Sequence, residues 1–177
     1  SPDYAKYTYN NGTKDVTATA PLPAYIESLE VGSKAFSDRD FVTEEVNGVE
    51  YLGKPYLAMP LSWQNAAPWR DGVYTGDYIA DWLTFTVNRK ATVRVLKDSY
   101  TTSETRHDIR LVNDYGFTHK KYTEYKPVVV NITTNNTHPD YIDELSKTVE
   151  AGETVTIPNI HAGQVYFVVF DFEGYLE

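Results

Sequence analysis

All three tryptophans of the chain fall within residues 63–82, interleaved with groups that recognise polyhydroxylated rings. The stretch runs Trp63-Gln64-Asn65-Ala66-Ala67-Pro68-Trp69-Arg70-Asp71-Gly72-Val73-Tyr74-Thr75-Gly76-Asp77-Tyr78 and closes on Asp81-Trp82. Indole and phenol rings present a flat apolar body with a polar tip. The C–H faces of a sugar ring lie on such planes, and its hydroxyls need fixed donors and acceptors. Amides and carboxylates supply these, and arginine adds a planar fork that suits vicinal hydroxyls or a uronic carboxylate. The candidate binding residues are therefore Trp63, Trp69, Arg70, Asp71, Tyr74, Asp77 and Tyr78, with Gln64 and Asn65 beside them. The stretch reads as one long loop between two strands. Its competing reading is structural, with the rings anchoring the loop on a core. That reading is strongest for Trp82, which begins a strand, and weakest for Trp63 and Trp69, which flank Pro68 and small residues.

Other chemistries have thinner support. Asp38, Asp40, Glu44 and Glu45 form an acidic run, and Asp171 and Glu173 lie at the far end of the chain. Calcium takes six to eight oxygens, many from carboxylates, so a structural Ca2+ is an expectation if the two clusters meet. Arg39 between two aspartates equally reads as a structural ion pair. His107, His119, His138 and His161 show no metal-ligand spacing. Cysteine is absent, which removes disulfides, zinc thiolates and thiol catalysis. No G-x-S-x-G is present, and nothing singles out the two placed carboxylates that glycoside hydrolysis requires. The expectation is a chain without catalytic activity of its own.

The chain has 177 residues, with 16 basic and 25 acidic side chains and a formal charge of −9. That length supports one sizeable core. The negative field repels phosphate backbones and argues against a nucleic-acid partner. Arg106, His107, Arg110, His119, Lys120 and Lys121 form a local basic patch, which reads as a solvated strand edge. No apolar run approaches the roughly 18 residues that span a bilayer. The start at Ser1-Pro2-Asp3 suggests a mature or excised fragment. Sequons at Asn11, Asn131 and Asn135 carry little weight in a chain rich in Asn and Thr.

The elements expected to position these groups are strands. Residues 1–23 read as a linker or edge segment, and residues 24–177 as one β-sandwich. Leu83, Phe85 and Val87 alternate with Thr84 and Thr86, and after Asn88-Arg89-Lys90 the pattern resumes with Ala91, Val93 and Val95. This predicts a strand pair over 83–95. A second hairpin is expected over 148–157, turning at Glu150-Ala151-Gly152-Glu153. Residues 165–172 are apolar on both sides and read as a central strand covered on both faces. Val128-Val129-Val130 is a shorter candidate of that kind, and residues 25–31 and 51–59 read as extended. No sustained helical period appears, beyond one possible turn over 139–145. Short strands separated by Gly, Pro, Asn and Asp indicate an all-β, antiparallel β-sandwich.

Ser37-Asp38-Arg39-Asp40-Phe41 with Tyr51-Leu52-Gly53-Lys54-Pro55-Tyr56, Asp81-Trp82-Leu83-Thr84-Phe85-Thr86-Val87 with Ala91-Thr92-Val93-Arg94-Val95, and Gly116-Phe117-Thr118 together resemble one family. Ala151-Gly152-Glu153-Thr154-Val155 and Tyr166-Phe167-Val168-Val169 fit the same layout. The chain resembles, over roughly residues 25–172, the jelly-roll accessory domains of secreted bacterial polysaccharide-degrading enzymes, of the carbohydrate-binding-module kind. The stretch over 63–78 departs from that family, whose loop is shorter and more acidic. The resemblance implies a galactose-binding-like jelly roll, often with a structural calcium, that binds a polysaccharide or oligosaccharide. It also implies an extracellular monomeric module, with a catalytic domain in the same polypeptide and no membrane partner. Two alternatives stay open: a structural spacer or interaction domain of a multidomain secreted enzyme, and a small polysaccharide lyase. Arg106, His107, Arg110, Asn159, His161 and Tyr166 faintly echo the lyase set of Arg, His and Tyr. Yet His161 and Tyr166 stand five positions apart, where the lyase motifs lie far apart, and the chain is short for that fold.

Overall fold

Alternation of branched and aromatic residues with polar ones, broken by Gly, Pro and Asn, yields short strands and little helix. The structure is a computed structural model describing residues 5–9, 23–60, 69–70, 73–74, 82–98, 108–131, 142–158 and 165–174. Its strands are β1 (Ala5–Tyr9), β2 (Ala24–Ile26), β3 (Thr43–Val46), β4 (Tyr56–Ala58), β5 (Trp69–Arg70), β6 (Val73–Tyr74) and β7 (Leu83–Val87). They continue with β8 (Ala91–Asp98), β9 (Thr118–Tyr122), β10 (Val128–Val130), β11 (Ile142–Val149), β12 (Thr154–Ile157) and β13 (Val165–Phe172); helix α1 (Asp108–Asn113) precedes β9.

The strands form a six-stranded sheet β2-β4-β13-β8-β11-β9, a three-stranded sheet β1-β7-β12, and the two-stranded pairs β10-β3 and β5-β6. Among the described residues every pairing between these named strands is antiparallel, and the sheets pack face to face as in a β-sandwich. β13 lies between β4 and β8 and is buried on both faces, as the run of apolar residues there predicts. Val168, Phe170 and Phe172 join one core with Val93, Val95, Leu145, Leu83, Phe85, Val87, Val155 and Ile157. Phe85 of the smaller sheet meets Phe170 edge to face at 5.2 Å. Phe167 and Val169 face a second core with Leu96, Tyr56, Leu29, Phe36, Tyr51 and Val128. β3, β10 and the segment 27–55 form this outer layer.

Several expectations need correction. β7 and β8 are not a hairpin: β7 pairs with β1 and β12, and β8 with β11 and β13. The turn at 88–90 carries the chain from one sheet to the other, and the 150–153 turn does the same between β11 and β12. Alternation reveals the apolar side of a strand but not its partner. Two strands joined by a short turn can bury those sides face to face as well as edge to edge. The possible helical turn over 139–145 is overtaken by β11, and the helix lies instead at Asp108–Asn113. The stretch read as one long loop contains a short ribbon, β5-β6. The segment 25–31 is strand only through Ile26. Before β2, residues 5–9 form an edge strand on β7.

The outer layer is fastened by a close packing that admits no side chain at Gly48. A Cβ there would stand 2.6 Å from Cδ2 of Tyr51 and 3.3 Å from Cβ of Pro127. The backbone of Gly48 is not in the left-handed region, so space and not conformation demands glycine. Gly48→Ala is expected to displace the Tyr51 ring and cost about 1–3 kcal/mol by overpacking. A urea midpoint equal to that of the wild type would contradict this reading.

Candidate functional site

The strand registers gather the chain's longer connections at one rim of the sandwich. Tyr9 at the end of β1, Leu83 at the start of β7 and Ile157 at the end of β12 lie side by side. In the larger sheet, Lys97 near the end of β8 pairs with Val165 at the start of β13 and with Asp143 near the start of β11. Connections 10–23, 59–82, 99–107, 131–141 and 158–164 therefore all begin or finish at this rim. The opposite end carries the short turns at 88–90 and 150–153.

The 59–82 connection includes the ribbon, in which Trp69 stands opposite Tyr74 and Arg70 opposite Val73. The two residues between its strands are Asp71-Gly72, a pair strongly favoured in two-residue hairpins. That dipeptide is the sequence signal for the ribbon within the stretch. Trp63, Asp71, Asp77, Tyr78, Gln64 and Asn65 lie outside the described residues. Trp82 is 1% exposed and belongs to the core, so its role is structural.

Beneath the rim lie charged groups that sequence reading missed. Asp143 and Glu144 are consecutive on β11, so they project to opposite faces of the sheet, and both are buried. On the face toward the three-stranded sheet, Asp143 accepts from the fully buried Lys97 Nζ at 3.3 Å. Its other oxygen lies 2.9 Å from Nε2 of His119 on the edge strand β9. Burial works against ionising Asp143, but the His119 hydrogen bond and the Lys97 charge outweigh it and hold the carboxyl below the usual range.

On the opposite face, Glu144 Oε1 accepts hydrogen bonds from the Tyr51 and Tyr122 hydroxyls, and Arg94 Nε lies 3.5 Å away. Arg94 also reaches Asp171 at 3.3 Å, and Lys54 meets the other oxygen of Asp171 at 3.3 Å. A ladder of alternating charge thus crosses the sheet and ties the outer layer to it. Tyr51 and Tyr122 have no periodicity that marks them as partners. The pairing of Glu144 with them follows only from the register of β11 and the path of segment 47–53.

The remaining candidates are placed as follows. Asp171 is engaged by Lys54 and Arg94, and Asp38 by Arg39 at 3.0 Å. Glu44 and Glu45 are exposed on β3. Among the described residues no three acidic or histidine side chains come together in a way that would hold a metal ion. His119, Lys120 and Lys121 lie on the exposed edge strand β9. Arg110 belongs to α1 and Tyr166 to β13, while Arg106, His107, His138, Asn159 and His161 lie outside the described residues. Among the described residues no helix is long and apolar enough to cross a membrane.

No protein-family model matches the chain, and no curated protein matches it. Among solved structures it is similar to a β-glucuronidase from glycoside hydrolase family 2, with a TM-score of 0.61 and 17% identity over 97% of this chain. The match spans 15% of that protein's length. At this identity the likeness speaks to the fold, an antiparallel β-sandwich that also occurs as one part of a much longer polypeptide.

The buried phenols set a pH dependence. Burial, reinforced by Glu144 and Tyr122, pushes the Tyr51 hydroxyl far above its ordinary value. Burial pushes Tyr56 up to about 12, partly offset by Ser33. Such groups keep protons that the unfolded chain has released once the pH passes about 10. Their stabilisation is complete below that pH and is lost as pH rises through the folded values. The urea midpoint is expected to fall above pH 10, and to fall less steeply in Tyr51→Phe. That variant should also lose about 1–3 kcal/mol at neutral pH, because Glu144 stays buried with one donor fewer. An identical alkaline slope in the two proteins would contradict the assignment.

Proposed function

We propose that the chain is a non-catalytic carbohydrate-binding module that holds an attached polysaccharide-degrading enzyme on its polymer, outside the cell. The observation that carries this reading is the ribbon in the 59–82 connection, in which Trp69 pairs with Tyr74. Opposed positions of an antiparallel ribbon share one side. A tryptophan and a tyrosine so placed are suited to the stacking half of sugar recognition. Arg70, Asp71, Asp77 and their neighbours would supply the directed hydrogen bonds, with Trp63 and Tyr78 extending the platform. The likeness to part of a glycoside hydrolase is consistent with an accessory domain; fold by itself does not assign the role.

A single module with so small a contact area is expected to bind in the micromolar to millimolar range, on the order of −4 to −8 kcal/mol. Tethering to an enzyme that holds the same polymer raises the effective affinity. A second reading, the spacer or interaction domain, is favoured by the outer layer, which exposes Val31, Val49, Leu52 and Tyr125. Apolar exposure of that kind suits a neighbouring domain as well as solvent.

Trp63→Ala and Trp69→Ala are each expected to weaken retardation in polysaccharide affinity gels by roughly tenfold in Kd, about 1.4 kcal/mol. Val49→Ser is expected to leave retardation unchanged. Full retardation in both tryptophan variants would rule out the platform. Absence of retardation by any polymer in the wild type would favour the spacer.

A further inference from the structure

We propose that Lys97 and Asp143 condense into an intramolecular isopeptide bond, with His119 carrying the proton, so that β8 and β11 are covalently tied beneath the rim. This inference does not rest on glycan binding and stands or falls separately from it.

Three observations meet at this pair. Lys97 and Asp143 are directly opposed in the β8–β11 register, which holds both on one side of the sheet. Both are buried, Lys97 completely, with Nζ 3.3 Å from Oδ2 of Asp143. The adjacent same-side positions, Val95 and Leu145, are apolar and have no exposed surface. The third observation is His119, whose Nε2 lies 2.9 Å from Oδ1 and whose side chain is 46% exposed. It can pass protons between the pair and solvent.

An ion pair in such a layer carries a desolvation cost that can exceed the mutual attraction. A neutral amide removes both charges and asks only for ordinary hydrogen bonds. The reacting form is the neutral pair, reached when the ammonium gives up one proton to the carboxylate, which carries it on Oδ1. The Lys97 nitrogen then attacks Cγ of Asp143, and an N–C bond forms. His119 takes the second nitrogen proton and delivers it to Oδ1. The Cγ–Oδ1 bond breaks, Oδ1 leaves as water, and Oδ2 remains as the amide carbonyl. His119 ends neutral, and no oxidant or co-reactant is consumed. The link would fix the strand ends from which connections 99–107 and 131–141 depart.

Intact-mass measurement of the denatured protein tests this without any need for folded variants. The wild type is expected to be one water lighter than its sequence requires. Trypsin should release one branched peptide joining the Lys97 and Asp143 segments, with cleavage blocked after Lys97. Lys97→Met and Asp143→Ala should restore the full mass, and His119→Ala should leave a large fraction unlinked. Dehydration elsewhere, as at Asp71-Gly72, would leave those peptides linear and overturn the proposal. Full mass in the wild type would overturn it as well. Complete linkage in His119→Ala would overturn the mechanism given for the histidine.

Discussion

The fold depends on one requirement: β13 is apolar on both sides, so the sheet that contains it must be covered on both faces. The three-stranded sheet covers one face and the β3–β10 layer with segment 27–55 covers the other. Phe167 and Val169 would otherwise meet water on one side, and Phe170 and Phe172 on the other. At roughly 1.5–3 kcal/mol for each large apolar side chain buried, leaving either face open would exceed the net stability of a typical domain. The third layer is thus part of the domain's core structure and not an appendage.

Covering both faces also buries whatever polar groups the neighbouring strands carry. Asp143 and Glu144 show how the molecule meets that demand. They are consecutive, so they enter different layers, and each finds partners there: Lys97 and His119 in one, Tyr51, Tyr122 and Arg94 in the other. Buried carboxylates left unpaired would be strongly destabilising. Paired, they fix the register of β11 against β8 and β9, because a one-residue slip would send each carboxylate into the wrong layer. Asp143 and Lys97 each sit one residue from the end of their strand, so this pairing fixes the strand ends themselves.

Much of the fold was legible because burial writes a period into the chain. The doubly apolar run at 165–172 identified the central strand, and the Thr-Phe-Thr alternation identified β7. Partners were not legible. The 88–90 and 150–153 turns look like hairpin turns, and only the packing of two sheets shows that they are corners. Asp143, Glu144 and Lys97 were invisible as a set, because charged residues in a strand usually mark a solvated face. Tryptophan content pointed to residues 63–82, and the structure divides that stretch. Trp82 goes to the core, and Trp69 to the ribbon, for which Asp71-Gly72 is the sequence signal.

In the proposed role, tryptophans of the 59–82 connection meet sugar in solution. This is tested most directly by acrylamide quenching of a Trp82→Phe variant, which silences the buried indole, with and without a panel of soluble polysaccharides. Emission should be readily quenched in the free protein and protected by at least one polymer. Quenching that is weak from the outset, or unaltered by every polymer, would contradict that role.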